Sequence, residues 1–253
     1  MGGASGKIRI LLAEDSLLGR KLALKMIEHC GHEADYAENG KEAVDKSCAN
    51  AYDLILMDMY MPELNGGDAA LEISRKGVLA PIIALSGDVI GAEELARYSM
   101  RDSIVKPLSE NELKRVIAAH CSVKDESAPA KCVESSSSSS SGIIFDEKAA
   151  LEFACGSEDT LAEMISIYLE GTGRNIEILS ASIDTGDMQK AKSASHLIKG
   201  ESKSLGAMKI FTGASEINDA AKAGDRERCA SMMHSLRNDF KEFITHIGRT
   251  GKT

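Results

Sequence analysis

No stretch of this 253-residue chain stays apolar for longer than a β-strand needs, so nothing in it reads as a membrane span. No run of lysine and arginine offsets the net charge of −9, which argues against a broad nucleic-acid footprint. The cysteines at 30, 48, 121, 132, 155 and 229 form no C-x-x-C pair. Scattered in this way, and with no secretion signal, they fit reduced thiols in a cytoplasm. The opening MGGASG lacks the basic region and apolar core of a secretory signal, and Gly6 stands where myristoylation would need Ser or Thr. His29 and His32 flank Cys30 without further ligands at metal spacing, so zinc is not expected there. No G-x-S-x-G, H-E-x-x-H or protein-kinase pattern occurs. GTG at 171–173 has no strand before it, and the final GRTGKT has His246 where a phosphate-binding loop needs its first glycine.

A hydrophobic fraction of 43% and a charged fraction of 27% are those of an ordinary soluble globular protein. The length allows one large domain or two small ones. Composition decides for two. Residues 122–142 read SVKDESAPAKCVESSSSSSSG, which buries almost no apolar surface and is expected to be a flexible linker. The expected division is 7–121, a linker over 122–144, and 145–249.

The first part alternates strand and helix signals. KIRILLA (7–13), YDLILMDM (52–59), PIIALS (81–86) and SIVKP (103–107) are short apolar runs, with helical periodicity at 16–30, 41–49, 65–76, 91–99 and 109–120. Such alternation predicts a parallel sheet covered on both faces. The second part has no strand pattern. Helical stretches at 146–155, 158–183, 187–204, 207–223 and 226–248, broken at glycines, predict an antiparallel helical bundle, with Asp225 placed to cap the last helix.

In an open parallel sheet, ligands bind beyond the carboxyl ends of the strands. Glu14 and Asp15 follow the first run, Asp58 ends the 52–59 run, Ser86 ends the next and Lys106 lies in the last. One acid at a strand end is unremarkable. Three gathered at one edge repel one another and call for a cation, and an oxygen set of this size suits Mg²⁺. Lys106 adds a fixed positive charge and Ser86 a hydroxyl. An aspartate in that setting can act as a nucleophile toward phosphorus, with its neighbours offsetting charge on the phosphoryl oxygens.

Residues 7–121 resemble a response-regulator receiver domain through AED at 13–15, LILMDMYMP at 54–62 with Gly66 following, ALSG at 84–87 and VKP at 105–107. The resemblance implies a flavodoxin-like, doubly wound five-stranded parallel sheet with Asp58 as phosphoacceptor. It implies Mg²⁺ held by Glu14 or Asp15, by Asp58 and by the Tyr60 carbonyl. It also implies a phosphoryl contact from Lys106, a cis Lys106–Pro107 bond, and Ser86 as the residue that responds to phosphorylation. Ser103 stands where receivers usually carry an aromatic switch residue. Tyr60, two residues after the acceptor, either shields an aspartyl phosphate from water or is a surface tyrosine without effect.

His196 lies in ASHLIKGESKSLGA at 194–207. On a helix, Ser195, Ile198, Ser202 and Leu205 form one stripe fit for a bundle interior, while His196, Lys199, Gly200 and Lys203 form another, turned outward. A helix-interior glycine costs ~1 kcal/mol against alanine, which makes sense where another backbone approaches. Two lysines on that face suit a phosphoryl group. The segment resembles the histidine-containing phosphotransfer (HPt) motif, which implies an all-α antiparallel four-helix bundle, phosphorylation of His196, assistance from Lys199, and a Gly200 that clears room for a receiver. Glu201 and Lys203 stand where that family usually has small residues. Glu201, ~140° around the helix from His196, is expected to perturb little, and Lys203 to meet a receiver's acidic rim.

The expected function is a phosphorelay. A histidine kinase or other phosphohistidine donor charges Asp58, and His196 exchanges phosphate with a receiver, in this chain or on a downstream response regulator. Histidine-kinase ATP-binding motifs are absent, so the chain is not expected to charge itself. A linker of about 20 residues spans roughly 25 Å as a coil, which permits exchange within one chain. Two other readings are open: a receiver-regulated binding module with an unphosphorylated His196, and a Mg²⁺-dependent phosphohydrolase.

Overall fold

A computed structural model describes residues 6–121, 144–154 and 156–250. Of the linker expected at 122–144, residues 122–143 with the Ser tract lie outside the described residues, as do Cys132 and Cys155.

The first domain is built on β1 (Arg9–Ala13), β2 (Glu33–Ala37), β3 (Leu54–Asp58), β4 (Ile82–Ser86) and β5 (Asp102–Val105), in the order β2-β1-β3-β4-β5 and parallel throughout. Helices α1 (Leu17–His29), α2 (Gly40–Ala49), α3 (Gly66–Arg75) and α4 (Ala92–Arg97) connect the strands, and α5 (Glu110–His120) follows β5. Successive strand residues point to opposite faces. Ile10, Leu12, Leu54 and Leu56 therefore pack with Ile27 of α1 and Val116 of α5, while Leu11, Ile55 and Met57 pack with Val44 of α2 and Ile73 of α3. This is the doubly wound flavodoxin-like sheet. The sequence reading located no run for the second strand. β2, EADYA, is an edge strand with only Ala37 buried, so it needs no apolar run.

The second domain consists of a short α6 (Glu147–Phe153) and four long helices: α7 (Glu158–Thr185), α8 (Met188–Leu205), α9 (Met208–Lys222) and α10 (Arg226–Thr250). Short turns reverse the chain between them. α7 and α9 each pack on α8, and α10 closes the bundle against both. Ser157 and Asp187 cap α7 and α8 by accepting backbone N–H groups, and Asp225 accepts from Arg228 N–H at 3.0 Å, the cap expected for the last helix. Tyr168 and Phe243 meet edge to face at 5.3 Å in the core. Ser195, Ile198, Ser202 and Leu205 are fully buried, so the interior stripe of α8 is as expected. No helix among the described residues is long and apolar enough to cross a membrane.

The two domains are docked. Leu18 and Leu22 of α1 belong to the apolar cluster of the helical bundle rather than to the sheet cores. Lys21 reaches Glu163 at 2.6 Å and Lys25 reaches Thr160 at 3.0 Å, both on α7.

Candidate functional site

The carboxyl ends of β1, β3, β4 and β5 bring together the residues singled out by their place in the sequence. Glu14, Asp15 and Asp58 each offer a carboxylate oxygen within 4.8 Å of the others. Lys106 joins them, its ammonium 2.6 Å from both Glu14 Oε2 and Asp58 Oδ2. Burial, with Asp58 close by, pushes the Glu14 carboxyl above the usual carboxylate range even though Lys106 opposes it. Burial, with Asp58 adding to it, pushes the Asp15 carboxyl up to about 6. The Lys106 ammonium is held above its ordinary value by Asp58 and Glu14, against the effect of burial.

Asp15 Oδ1 is buried with no hydrogen-bond partner. An orphaned carboxylate oxygen aimed into a cluster of acids fits a bound cation, and an all-oxygen donor set fits a hard one such as Mg²⁺. The backbone packs tightly behind Asp58. A Cβ added to Gly66 would lie 1.9 Å from the Asp58 carbonyl oxygen, so the chain can turn past the acceptor only with glycine at 66. Ser86 is buried at the end of β4, its hydroxyl accepting from Asp88 N–H at 3.3 Å. The Lys106–Pro107 bond is cis, as expected.

α8 lays His196 over this cleft. The imidazole meets the Tyr60 ring at 4.6 Å between centroids, and a Cβ at Gly87 would lie 3.5 Å from His196 Cε1. Asp58, Lys106, Gly87 and His196 line one cavity between the domains. Burial holds the imidazole down to about 4, partly opposed by the Asp58 charge, so the ring is neutral at neutral pH. The face expected to point outward instead points at the other domain.

Several expectations change here. Gly200 clears no space, because a Cβ built there meets nothing within 4 Å; the docked backbone that reaches the imidazole is that of Gly87. Lys199 bonds Asp88 Oδ1 at 3.3 Å, with Lys222 at 3.8 Å from the other oxygen. Lys203, expected at the acidic rim, has its ammonium 5.9 Å from the Phe211 ring. Tyr60 packs on the imidazole while Lys192 sits 5.4 Å above its ring. Glu201, expected to matter little, is buried: its Oε1 accepts from the Ser16 hydroxyl at 2.9 Å and its Oε2 from Thr172 at 3.1 Å. Burial pushes its carboxyl up, opposed by hydrogen bonds from Ser16, Thr172 and Asn175. The angular argument considered α8 alone, whereas α1 docks over the groove between α7 and α8. Ser16, Asp88, Lys192 and the Leu18–Leu22 pair escaped the sequence reading; an i, i+4 leucine pair on α1 was the one available signal.

Both parts of the chain match known families. The response regulator receiver domain family matches residues 10–118, and the Hpt domain family matches residues 163–246. The two-component response regulator ORR41 of Oryza sativa subsp. japonica is 38% identical over 117 residues, covering 44% of this chain and 92% of that protein. The sensor histidine kinase AruS of Pseudomonas aeruginosa is 26% identical over 255 residues, covering 97% of this chain and 24% of that protein. The receiver domain of a sensor histidine kinase from Pseudomonas aeruginosa PAO1, solved with a magnesium ion coordinated in its active site cleft, is 29% identical, covers 46% of this chain and 98% of that one, and has a TM-score of 0.43. The chain spans about a quarter of the length of the sensor kinases it matches. It belongs to the two-component proteins, as a receiver domain followed by an Hpt domain.

Proposed function

We propose that Asp58 accepts a phosphoryl group from a phosphohistidine donor, such as a histidine kinase, and that His196 exchanges that group with a receiver aspartate. Asp58 of the same chain is the first candidate, and a downstream response regulator is the onward partner. The observation that carries this reading is the placement of a buried, neutral His196 over the Asp58 cleft in one shared cavity.

In the exchange, the lone pair of an imidazole nitrogen attacks phosphorus in line. The N–P bond forms, the bond from phosphorus to the Asp58 carboxylate oxygen breaks, and the carboxylate leaves with the electron pair. A protonated ring could not do this, so the burial that keeps His196 neutral serves the step. Docking turns the reaction into a unimolecular one. Lys106, already on Asp58, is placed to offset charge on the phosphoryl oxygens, and the Ser86 hydroxyl to donate to one. Lys199 is assigned to the phosphoryl group on His196 once it leaves Asp88. Mg²⁺ held by Glu14, Asp15, Asp58 and the Tyr60 carbonyl would supply further charge compensation there. Residues 7–121 and 145–249 serve as the two working units, joined by 122–144. The free thiols of Cys48, Cys121 and Cys229 support a cytoplasmic setting.

The test is incubation of the chain with a phosphohistidine donor and Mg²⁺, locating alkali-labile phosphate on Asp58 and acid-labile phosphate on His196. His196→Gln should keep the first and lose the second, and Asp58→Asn should lose both. Equal labelling of the His196→Gln chain would overturn the reading.

A further inference from the structure

Across the docked interface, most polar contacts are rim ion pairs between partly exposed side chains, such as Lys21–Glu163 and Lys199–Asp88. Ser16–Glu201 differs. Both residues are 8% exposed, and the bond of 2.9 Å joins positions 185 residues apart. We propose that Glu201 is a specificity residue of the Hpt domain, reading the receiver through the Ser16 hydroxyl and so selecting receivers with a hydrogen-bond donor directly after the acidic pair. The inference rests on the phosphorelay reading, since it names how that site recognises its partner.

Three features support it. First, the proton of Ser16 is committed. Ser16 caps α1, its oxygen accepting Gly19 N–H at 3.1 Å, which leaves the hydroxyl proton for Glu201. Second, Glu201 is satisfied from two sides. Its own bundle supplies Thr172, to Oε2, and Asn175, while the receiver supplies Ser16 to Oε1. An apolar residue at 16 would take one hydrogen bond from a buried carboxylate, and an acid there would repel it; either penalty rejects a mismatched receiver. Third, the bond sets register. Ser16 follows Glu14 and Asp15 directly, and Glu201 lies five residues, about 7.5 Å of helix rise, beyond His196 on α8. Fixing one end of that span fixes the imidazole over the acidic cluster at the other.

The experiment uses the full chain with Asp58 charged from acetyl phosphate and Mg²⁺. Phosphate arriving on His196 is followed by rapid quench and normalised to Asp58 loading in each variant. Deuterium exchange of Met188–Leu205 in the uncharged chain reports docking separately. Ser16→Asp keeps a competent helix cap but removes the donor and sets two carboxylates together. It should slow transfer about tenfold or more and expose α8, since a charged hydrogen bond gives way to repulsion. Glu201→Gln alone still accepts from Ser16 and should stay within about threefold of wild type. The double variant, in which the Gln amide donates to the new aspartate, should recover most of the loss. Transfer and protection in Ser16→Asp equal to wild type would overturn the inference, as would a double variant no better than Ser16→Asp. Failure of the phosphorelay reading looks different: His196 takes no phosphate in any chain. The exchange pattern then decides recognition alone, supported by loss and recovery of protection and overturned by uniform protection.

Discussion

Removing the charge of Asp15 should make the receiver more stable while disabling it. Its carboxyl is held near 6 instead of its ordinary 3.8, mainly by burial and next by Asp58. A carboxyl whose pKa is raised by folding destabilises the folded state once ionised. The penalty is absent below about pH 4, grows as pH rises through 6, and is constant above. Two pH units correspond to ~3 kcal/mol at pH 7, an upper figure because the side chain retains some solvent. Asp15→Asn should therefore stabilise the metal-free receiver at pH 7 by up to that amount and by almost nothing at pH 4. Mg²⁺ should erase the advantage, because a cation at a hundred times its Kd stabilises the wild type by ~2.7 kcal/mol and the variant far less. Deuterium exchange of peptides over Leu54–Asp58 reads receiver opening without assuming that two docked domains unfold as one. A variant less stable than wild type at pH 7 without Mg²⁺, or a gain equal at pH 4 and pH 7, would refute the reasoning.

Gly200→Ala should stabilise α8 by roughly 0.5–1 kcal/mol and leave transfer to His196 intact, because the added Cβ meets nothing within 4 Å; thermal unfolding and rapid quench check this. Gly66→Ala should destabilise the receiver by ~3 kcal/mol or more and abolish Asp58 charging, its Cβ falling 1.9 Å from the Asp58 carbonyl oxygen; exchange over β3 and phosphate incorporation are the readouts. Tyr168→Phe removes a hydroxyl 2.8 Å from Ser202 Oγ in the bundle core and should lower bundle stability by ~1–2 kcal/mol without changing Asp58 charging, as measured by urea unfolding and labelling.

The central strands were legible because each is buried on both faces: LILMD and IIALS can only be interior strands, and the residues closing them had to form the ligand edge. β2 was not, since one side of EADYA has no neighbouring strand and its side chains need little burial. The helices of the second domain and the buried stripe of α8 followed from periodicity. The pairing of an acidic site with His196 came instead from the resemblance of the two segments to receiver and phosphotransfer motifs.

The sequence by itself determined the two fold classes and pointed to the candidate residues in each part, because strand burial, helix period and clustered charge are local or near-local properties. The tertiary structure alone decided which faces meet. One helix wheel could not show that α1 settles between α7 and α8, so Glu201 became a buried partner of Ser16, Lys199 a partner of Asp88, and Gly200 a glycine with open space around it. Docking joins residues more than a hundred positions apart, and no period along the chain encodes that.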